Sequence, residues 1–575
     1  MTFQELAIYV QKLESTPSRN TMTEILADLF THASMSEIGE ICYLLQGRVA
    51  PLYEAIEFGV ADRLMIRAIA ASYKVQESHV TTLFKKHGDL GRAAEVIANQ
   101  HIKSHTHISV HEVFLKLKAI AEFEGVGSQE KKIQTLSELL SSSDALAVRF
   151  LVRIPLDKLR LGFSDMTILD ALSWMLKGNK SLRDSLEAAY NVRPDLGYIA
   201  SQVKKHGISG VLHVQARVGA PILAALCQRL PNAEEMIKKM GAVDVEPKYD
   251  GVRTQIHFER KKDKIVISSY SRNLENTTAM YPELDRMESQ IDAESVILDS
   301  EAIGFDETNN RIIPFQETVT RKRKHNIIVA SQSVPLRFFV FDILLKNGIN
   351  LMSTPFSKRR AILEETIKTG PILTVSPHIV TNDISTLRVY HKEQIQKGLE
   401  GVVVKKWESV YEPGRRGFTW VKFKEEGKIG KLADTIDAVV MGFYKGEGKR
   451  TSFGIGAFLV GVKKGNMFVT MTKIGTGVSD ELWKAMKTSF GNQSSKEKPK
   501  EYGDVDKMFT PDVWVNPSIV VEIAADDITK SPTHGAKFAL RFPRLVRIRT
   551  DKNANQVTTV KELEVMYHNQ ESIQS

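Results

Sequence analysis

The 575 residues exceed what one hydrophobic core organises, and the 42% hydrophobic content is enough to give each of several domains its own core. The formal charge of +9 favours polyanionic partners, while Cys42 and Cys227 alone exclude a disulfide framework and any four-cysteine zinc site. The N-terminus has an early acid and no apolar core, and the most apolar stretch, 336–345, is broken by Arg337 and Asp342, so neither a signal peptide nor a membrane partner is expected. These features suit an intracellular protein of the cytoplasm or nucleoid.

Residues 1–215 read as an all-α domain. The string 21–24 forms a plausible cap ahead of Ile25, Leu26, Leu29 and Phe30 at helical spacing, and 136–140 and 145–151 repeat that character. Residues 216–428 read as a mixed α/β domain. Short β-branched or aromatic runs at 265–270, 295–299, 337–342 and 401–405 are bounded by turn residues, and a helix is expected over 357–369. Residues 429–575 return to strands at 438–442, 457–462, 467–471, 519–521 and 545–549, with one helix over 481–489. That count predicts a small closed β-barrel of the oligonucleotide-binding type, the OB-fold. The polar stretch 494–503 reads as a loop inside it.

In the middle domain, Glu246-Pro247-Lys248-Tyr249-Asp250-Gly251-Val252-Arg253 carries the strongest chemical signal. A lysine is protonated at neutral pH and becomes a nucleophile when burial or a neighbouring cation lowers its pKa. Positions two apart share a strand face, so Glu246, Lys248 and Asp250 are expected to point together, with Asp250-Gly251 turning the chain into a strand that carries Arg253. A charged hairpin explains the octapeptide equally well, and the downstream strings decide between the two.

Arg272 follows an apolar strand and Glu301 ends another. Phe341 belongs to an aromatic run, Glu400 and Lys405 bracket a valine run, and Lys422 and Lys424 share a strand face. Singly, each has a plain reading: a solvated strand-end acid, a core aromatic, an edge lysine that discourages aggregation. Together they suit a nucleotide. Phe341 offers a plate for the base, and Arg272 or Glu301 a partner for the ribose. Lys405, Lys422, Lys424 and an arginine near 416 supply cations for phosphates and are expected to keep Lys248 neutral by repulsion. Glu301 and Glu400 are hard carboxylates suited to magnesium, with manganese the alternative ion.

In these strings the chain resembles the ATP-dependent DNA ligases of the archaeal and eukaryotic replicative type, members of the covalent nucleotidyltransferase superfamily. The octapeptide looks like the family's nucleotidyl-lysine motif. Arg272, Glu301, Phe341, Glu400 with Lys405, and Lys422 with Lys424 fall at its later motifs in order. The family's arginine four residues before a tryptophan selects Arg416. Leu540 to Arg549, followed by Asp551-Lys552, is similar to its last motif, which acts on the β- and γ-phosphates. The strings 159–162 and 191–197 look like its helical DNA-binding domain.

The resemblance implies ATP and magnesium as co-substrate and ion, and nicked double-stranded DNA as partner. It implies a monomer that seals strands during replication, repair and recombination. Lys248 is then the catalytic nucleophile, Glu246 and Phe341 serve the base, Arg253 and Arg272 the sugar and phosphate side, and Lys422 and Lys424 the α-phosphate. A sliding clamp is a partner suggested by the resemblance alone, since no string of a glutamine with paired aromatics is evident. The basic run 321–325 suits a DNA backbone or a solvated loop equally.

An RNA ligase or mRNA capping guanylyltransferase uses the same lysine chemistry. The long helical domain and the Lys-Tyr-Asp-Gly form argue against both. An NAD-dependent ligase needs four zinc-binding cysteines. A non-catalytic nick-binding protein is expected to have lost Lys248, Glu301 or Glu400, and all are present.

Overall fold

The computed structural model describes residues 1–101, 108–159, 161–230, 232–262, 264–306, 308–309, 311–313, 315–318, 321, 331, 333–424, 435–446, 454–475, 478 and 480–572. For 315, 316, 416, 480, 481, 484, 485 and 570–572 it describes the backbone alone. Packing divides the chain into two compact units, Met1–Lys424 and Glu425–Ser575.

The first unit begins with helices from Phe3–Ser15 to Leu196–His206 around one apolar cluster that includes Leu26, Phe30, Leu117, Leu151 and Ile199. Their ends follow local chemistry. Thr2 with Glu5 and Ser109 with Glu112 form capping boxes, and Asp144 accepts from the backbone of Leu146 and Ala147. The cap expected at 21–24 lies elsewhere. Ser18 caps Arg19–His32, and Thr23 turns its hydroxyl back onto Arg19 O at 2.9 Å.

After the helices come strands β1 (Leu226–Arg229), β2 (Val243–Pro247), β3 (Val252–Lys261), β4 (Lys264–Ser271), β5 (Ser295–Asp306) and β6 (Arg311–Ile312). They continue with β7 (Leu336–Lys346), β8 (Ile349–Asn350), β9 (Leu373–Val375), β10 (Ile379–Thr381), β11 (Gly401–Lys406) and β12 (Arg416–Lys424). One sheet runs β1-β12-β11-β2-β10. The other runs β4-β3-β5-β7-β8, with β6 on β5 and β9 on β7. The hairpin expected at Asp250-Gly251 is therefore absent, because β2 and β3 lie in different sheets and Lys248 to Gly251 form the link between them. Pro247 ends β2 without a donor for the ladder. Gly251 is needed for close approach, since a Cβ there would lie 2.5 Å from Ala302 O. β3 and β4 pair along their length, up to Lys261 with Lys264.

Alternate residues of β3 strap the segment that leads into β1. Arg253 donates to Ala225 O at 2.6 Å, Gln255 bonds both the N–H and the C=O of Ile222, and His257 accepts from Gly219 N at 3.1 Å. Burial holds the His257 ring neutral, with its pKa lowered to about 3.

The second unit contains β13 (Ile436–Tyr444), β14 (Ala457–Lys464), β15 (Met467–Ile474), β16 (Ser494–Ser495), β17 (Val513–Val515), β18 (Val520–Ala524), β19 (Asp527–Lys530), β20 (Phe538–Arg541) and β21 (Arg544–Ile548). Its main sheet runs β15-β14-β13-β17-β16, with β18 bridging β13 and β21, and the helix Asp480–Asn492 packs through Trp483, Met486 and Phe490. Among the described residues this sheet does not close, because β15 and β21 do not pair. The stretch read as a loop from 494 opens with the short strand β16.

One buried ion pair ties β7 to the helix Phe356–Thr366. Arg359 and Asp342, both fully buried, meet at 2.8 and 2.9 Å, and Arg359 also donates to Thr354 O. Asp342→Ala strands that guanidinium and is expected to cost about 3–5 kcal/mol in denaturant unfolding. A loss below about 1 kcal/mol would contradict this assignment.

Candidate active site

Strand alternation builds one wall of the site. Val243, Val245, Val402, Val404, Val421 and Phe423 face a core closed by the helices Ala233–Met240 and Ile384–Gln396. Their neighbours Asp244, Glu246, Val403, Lys405, Trp420, Lys422 and Lys424 therefore share the opposite face. Register aligns Glu246 with Val403, Val403 with Lys422, and Lys422 with Arg229, a single row across four strands. That row floors a cleft of about 650 Å³ between the two sheets. Lys248, Tyr249, Arg253, Arg272, Glu301, Phe341, Lys405 and Trp420 also line it.

Several of these groups are held by buried partners. Glu246, 2% exposed, accepts from Arg360 at 2.8 Å and from Lys405 at 2.7 Å. Burial pushes its carboxyl up, and Lys405 and Arg360 oppose that shift. Lys405 also donates to Phe341 O at 2.9 Å, and its ammonium lies 4.6 to 4.8 Å from the rings of Phe341, Phe356 and Trp420. Arg253 grips Asp299 with two N–H groups, at 3.0 and 2.5 Å, while Tyr411 donates to the same carboxylate at 2.9 Å. Phe341 meets Trp420 edge to face at 5.9 Å.

Lys248 leaves the end of β2 with its N–H donating to Gly401 O at 2.9 Å. Gly401 has φ +133°, and a Cβ there would lie 2.2 Å from Phe423 O, so this position requires glycine. The Lys248 ammonium hydrogen-bonds Glu400, which also takes Lys424 at 3.1 Å. The expectation that neighbouring cations act on Lys248 left out this carboxylate. The nearest charge to Lys248 is a carboxylate, because the turn into β11 brings Glu400 beside it. Burial alone would raise the Glu400 carboxyl, but Lys248 and Lys424 draw it down to about 2. Lys422 is lowered by burial and then by Lys424 and Lys248.

Of the remaining expected residues, Arg416 opens β12, with its side chain outside the described residues. Arg160 and the run 322–325 also lie outside them. Arg321 is not a surface grip: it is 3% exposed and paired with Glu283 at 2.6 Å. Sequence reasoning missed Arg360, Asp299 and Tyr411, whose roles depend on partners distant in the chain. It also missed Arg229, which lines the cleft beside Lys422. Glu301 and Glu400 offer hard oxygens, and the described residues contain no group of three or more metal-ligating side chains. That donor set fits magnesium, which keeps few protein ligands and shares phosphate oxygens.

Three family models match this chain: "ATP dependent DNA ligase domain" over 221–424, "DNA ligase N terminus" over 2–173 and "ATP dependent DNA ligase C terminal region" over 451–552. A "Probable DNA ligase" of Dictyoglomus turgidum is 42% identical over 581 residues, covering 99% of this chain and 98% of its own. A "DNA ligase" of Sulfurisphaera tokodaii is 36% identical over 594 residues, covering 99% and 97%. A solved structure described as Pmar-Lig_PreS3 shares the fold at TM-score 0.52 and 17% identity, over 94% of this chain and 99% of its own.

The cleft makes one thermodynamic prediction. Burial pushes the Glu301 carboxyl from 4.5 up to about 7, against the opposing pull of Arg253 and Lys248. Unfolded chains release this proton near 4.5 and the folded protein holds it to about 7, so stability falls as pH rises through that window. Glu301→Gln lacks the effect. Its melting temperature relative to the parent, in chelator and without nucleotide, should climb between pH 4.5 and 7 and then level. A pH-independent difference would contradict the placement of this group.

Proposed function

The chain belongs to the ATP-dependent DNA ligases, and on that premise we propose how its residues carry the reaction. Lys248 Nζ attacks the α-phosphate of ATP. An N–P bond forms, the α–β bridging P–O bond breaks, and pyrophosphate leaves as the amine gives up a proton. The 5′-phosphate of a nick then attacks the lysyl adenylate, returning Lys248 to the amine and leaving AMP on the DNA. The 3′-hydroxyl finally displaces AMP and closes the strand. Each step is a phosphoryl displacement in which positioning and charge neutralisation dominate.

The observation that carries this reading is the placement of Lys248 at a nucleotide-sized cleft whose floor carries Glu246, Val403 and Lys422 in one row. Glu246 and Phe341 serve the base, with Lys405 holding Glu246 in place. Arg272 and Arg253 serve the sugar and phosphate side, and Lys422, Lys424 and Arg416 the phosphates. Magnesium or manganese brought in with the triphosphate would be held by Glu301 and Glu400, offsetting phosphate charge and competing with Lys248 for Glu400. An arginine in place of Lys248 would stay protonated and could not attack.

We assign 1–215 to DNA binding, 216–428 to adenylation and 429–575 to an OB-type domain. The matches over 2–173, 221–424 and 451–552 support that division. The substrate is nicked double-stranded DNA, gripped through its phosphates, and the enzyme acts as a monomer. A sliding-clamp partner rests on family resemblance alone. In the second unit Arg544 pairs with Asp526 at 2.7 Å and Lys552 with Asp437 at 2.5 Å. Arg541 and Arg544 are assigned to the β- and γ-phosphates.

Lys248→Ala should abolish labelling of the protein by α-labelled ATP while still sealing a nick that already carries AMP. Label on the variant would overturn the nucleophile assignment. Arg544→Ala should slow adenylation about 10-fold or more and leave sealing of pre-adenylated nicks within about 3-fold. Equal losses in the two assays would contradict that role.

A further inference from the structure

We propose that Arg229 is the cation on the side of the α-phosphate opposite Lys248, contacting first the departing pyrophosphate and then the 5′-phosphate of the nick. The proposal rests on the Lys248 course above and adds a residue to it.

Three facts single Arg229 out. It is exposed and lines the cleft. It ends β1 on the same row as Lys422, and β1 is the edge strand of its sheet. Among the described residues it also has no carboxylate partner, a property it shares with Arg272 and Lys422. Lys248, Arg253 and Lys405 are instead engaged by Glu400, Asp299 and Glu246. Unpaired cations are the ones whose field is left for an incoming anion.

The strand order then sets direction. Adjacent strands lie about 4.8 Å apart, so Glu246 on β2 and Arg229 on β1 are separated by roughly 14 Å with Lys422 between them. A nucleotide with its base at Glu246 and its α-phosphate at Lys422 has Arg229 one strand farther on. Lys248 stands at the β2 side. In-line displacement requires the leaving oxygen opposite the nucleophile, so pyrophosphate departs toward β1. In the next step Lys248 becomes the leaving group at the same phosphorus, and the nick's 5′-phosphate must enter from that same side. An arginine there can meet either anion with paired N–H groups. The last step occurs at the phosphorus of the 5′-phosphate itself, which Arg229 still meets, so that step reports on the second contact alone.

The test uses full-length Arg229→Ala and Arg229→Gln, with melting temperature checked against the parent. Adenylation by ATP and transfer of AMP to a nick should each slow about 10- to 100-fold. The inorganic pyrophosphate concentration giving half-maximal release of AMP from charged enzyme should rise by a similar factor. Arg229→Lys should recover part of each loss. Unchanged adenylation and an unchanged pyrophosphate response overturn the proposal, as does normal transfer of AMP to the nick. A parent protein that takes no label would instead overturn the Lys248 course, and this proposal with it.

Discussion

Side-chain alternation across β2, β11 and β12 is the constraint on which the site depends. The three strands send valines and Phe423 to an apolar core and send Glu246, Lys405, Lys422 and Lys424 to the opposite face. A one-residue slip of β2 would exchange Val245 for Glu246, removing the acid from Arg360 and Lys405 and pressing it into hydrocarbon. Burying an unpaired carboxylate costs several kcal/mol, far more than any one valine contributes. The apolar face therefore fixes the register, and the register fixes the chemistry.

The cations of the cleft fall into two kinds. Arg253 and Lys405 are bound to Asp299 and Glu246, carboxylates 1% and 2% exposed, and their net charge is largely spent inside the protein. They orient Phe341, Trp420 and Glu246. Lys422, Arg272 and Arg229 face the cleft without such partners among the described residues. A phosphate arriving there replaces repulsion with attraction. This explains how a region crowded with lysine and arginine remains folded before its substrate binds.

Sequence reading found the chemistry that is local and missed what is assembled at a distance. The octapeptide around Lys248, the Phe341 run and the paired lysines of β12 carry their meaning in a few consecutive residues, and Lys248, Phe341 and Lys422 come to one cleft. The short apolar runs were legible as strands because β-branched residues and turn residues bound them. Sheet membership was not legible. Asp250-Gly251 looks like a hairpin turn, and nothing nearby tells that β2 and β3 belong to separate sheets. Arg360 lies 114 residues from Glu246, and Asp299 lies 46 from Arg253, so neither pairing leaves a local signal. Arg229 sits on a four-residue strand with a register shift, too short and too polar to announce itself.

Glu400 connects the static charge pattern to the order of events. At neutral pH it is ionised, drawn down to about 2 by Lys248 and Lys424, and both lysine side chains meet it. A lysine attacks through the lone pair of its neutral amine, so the proposed attack requires Lys248 to part from this carboxylate. Under the proposed course, ATP brings both a competitor for Glu400 and a triphosphate that engages Lys422 and Lys424. Engaging Lys424 on the triphosphate would loosen the cluster that holds Lys248 at Glu400. Activation of the nucleophile and binding of its target are then one electrostatic event, which the separation of Lys248, Glu400 and Lys424 on neighbouring strand ends makes possible.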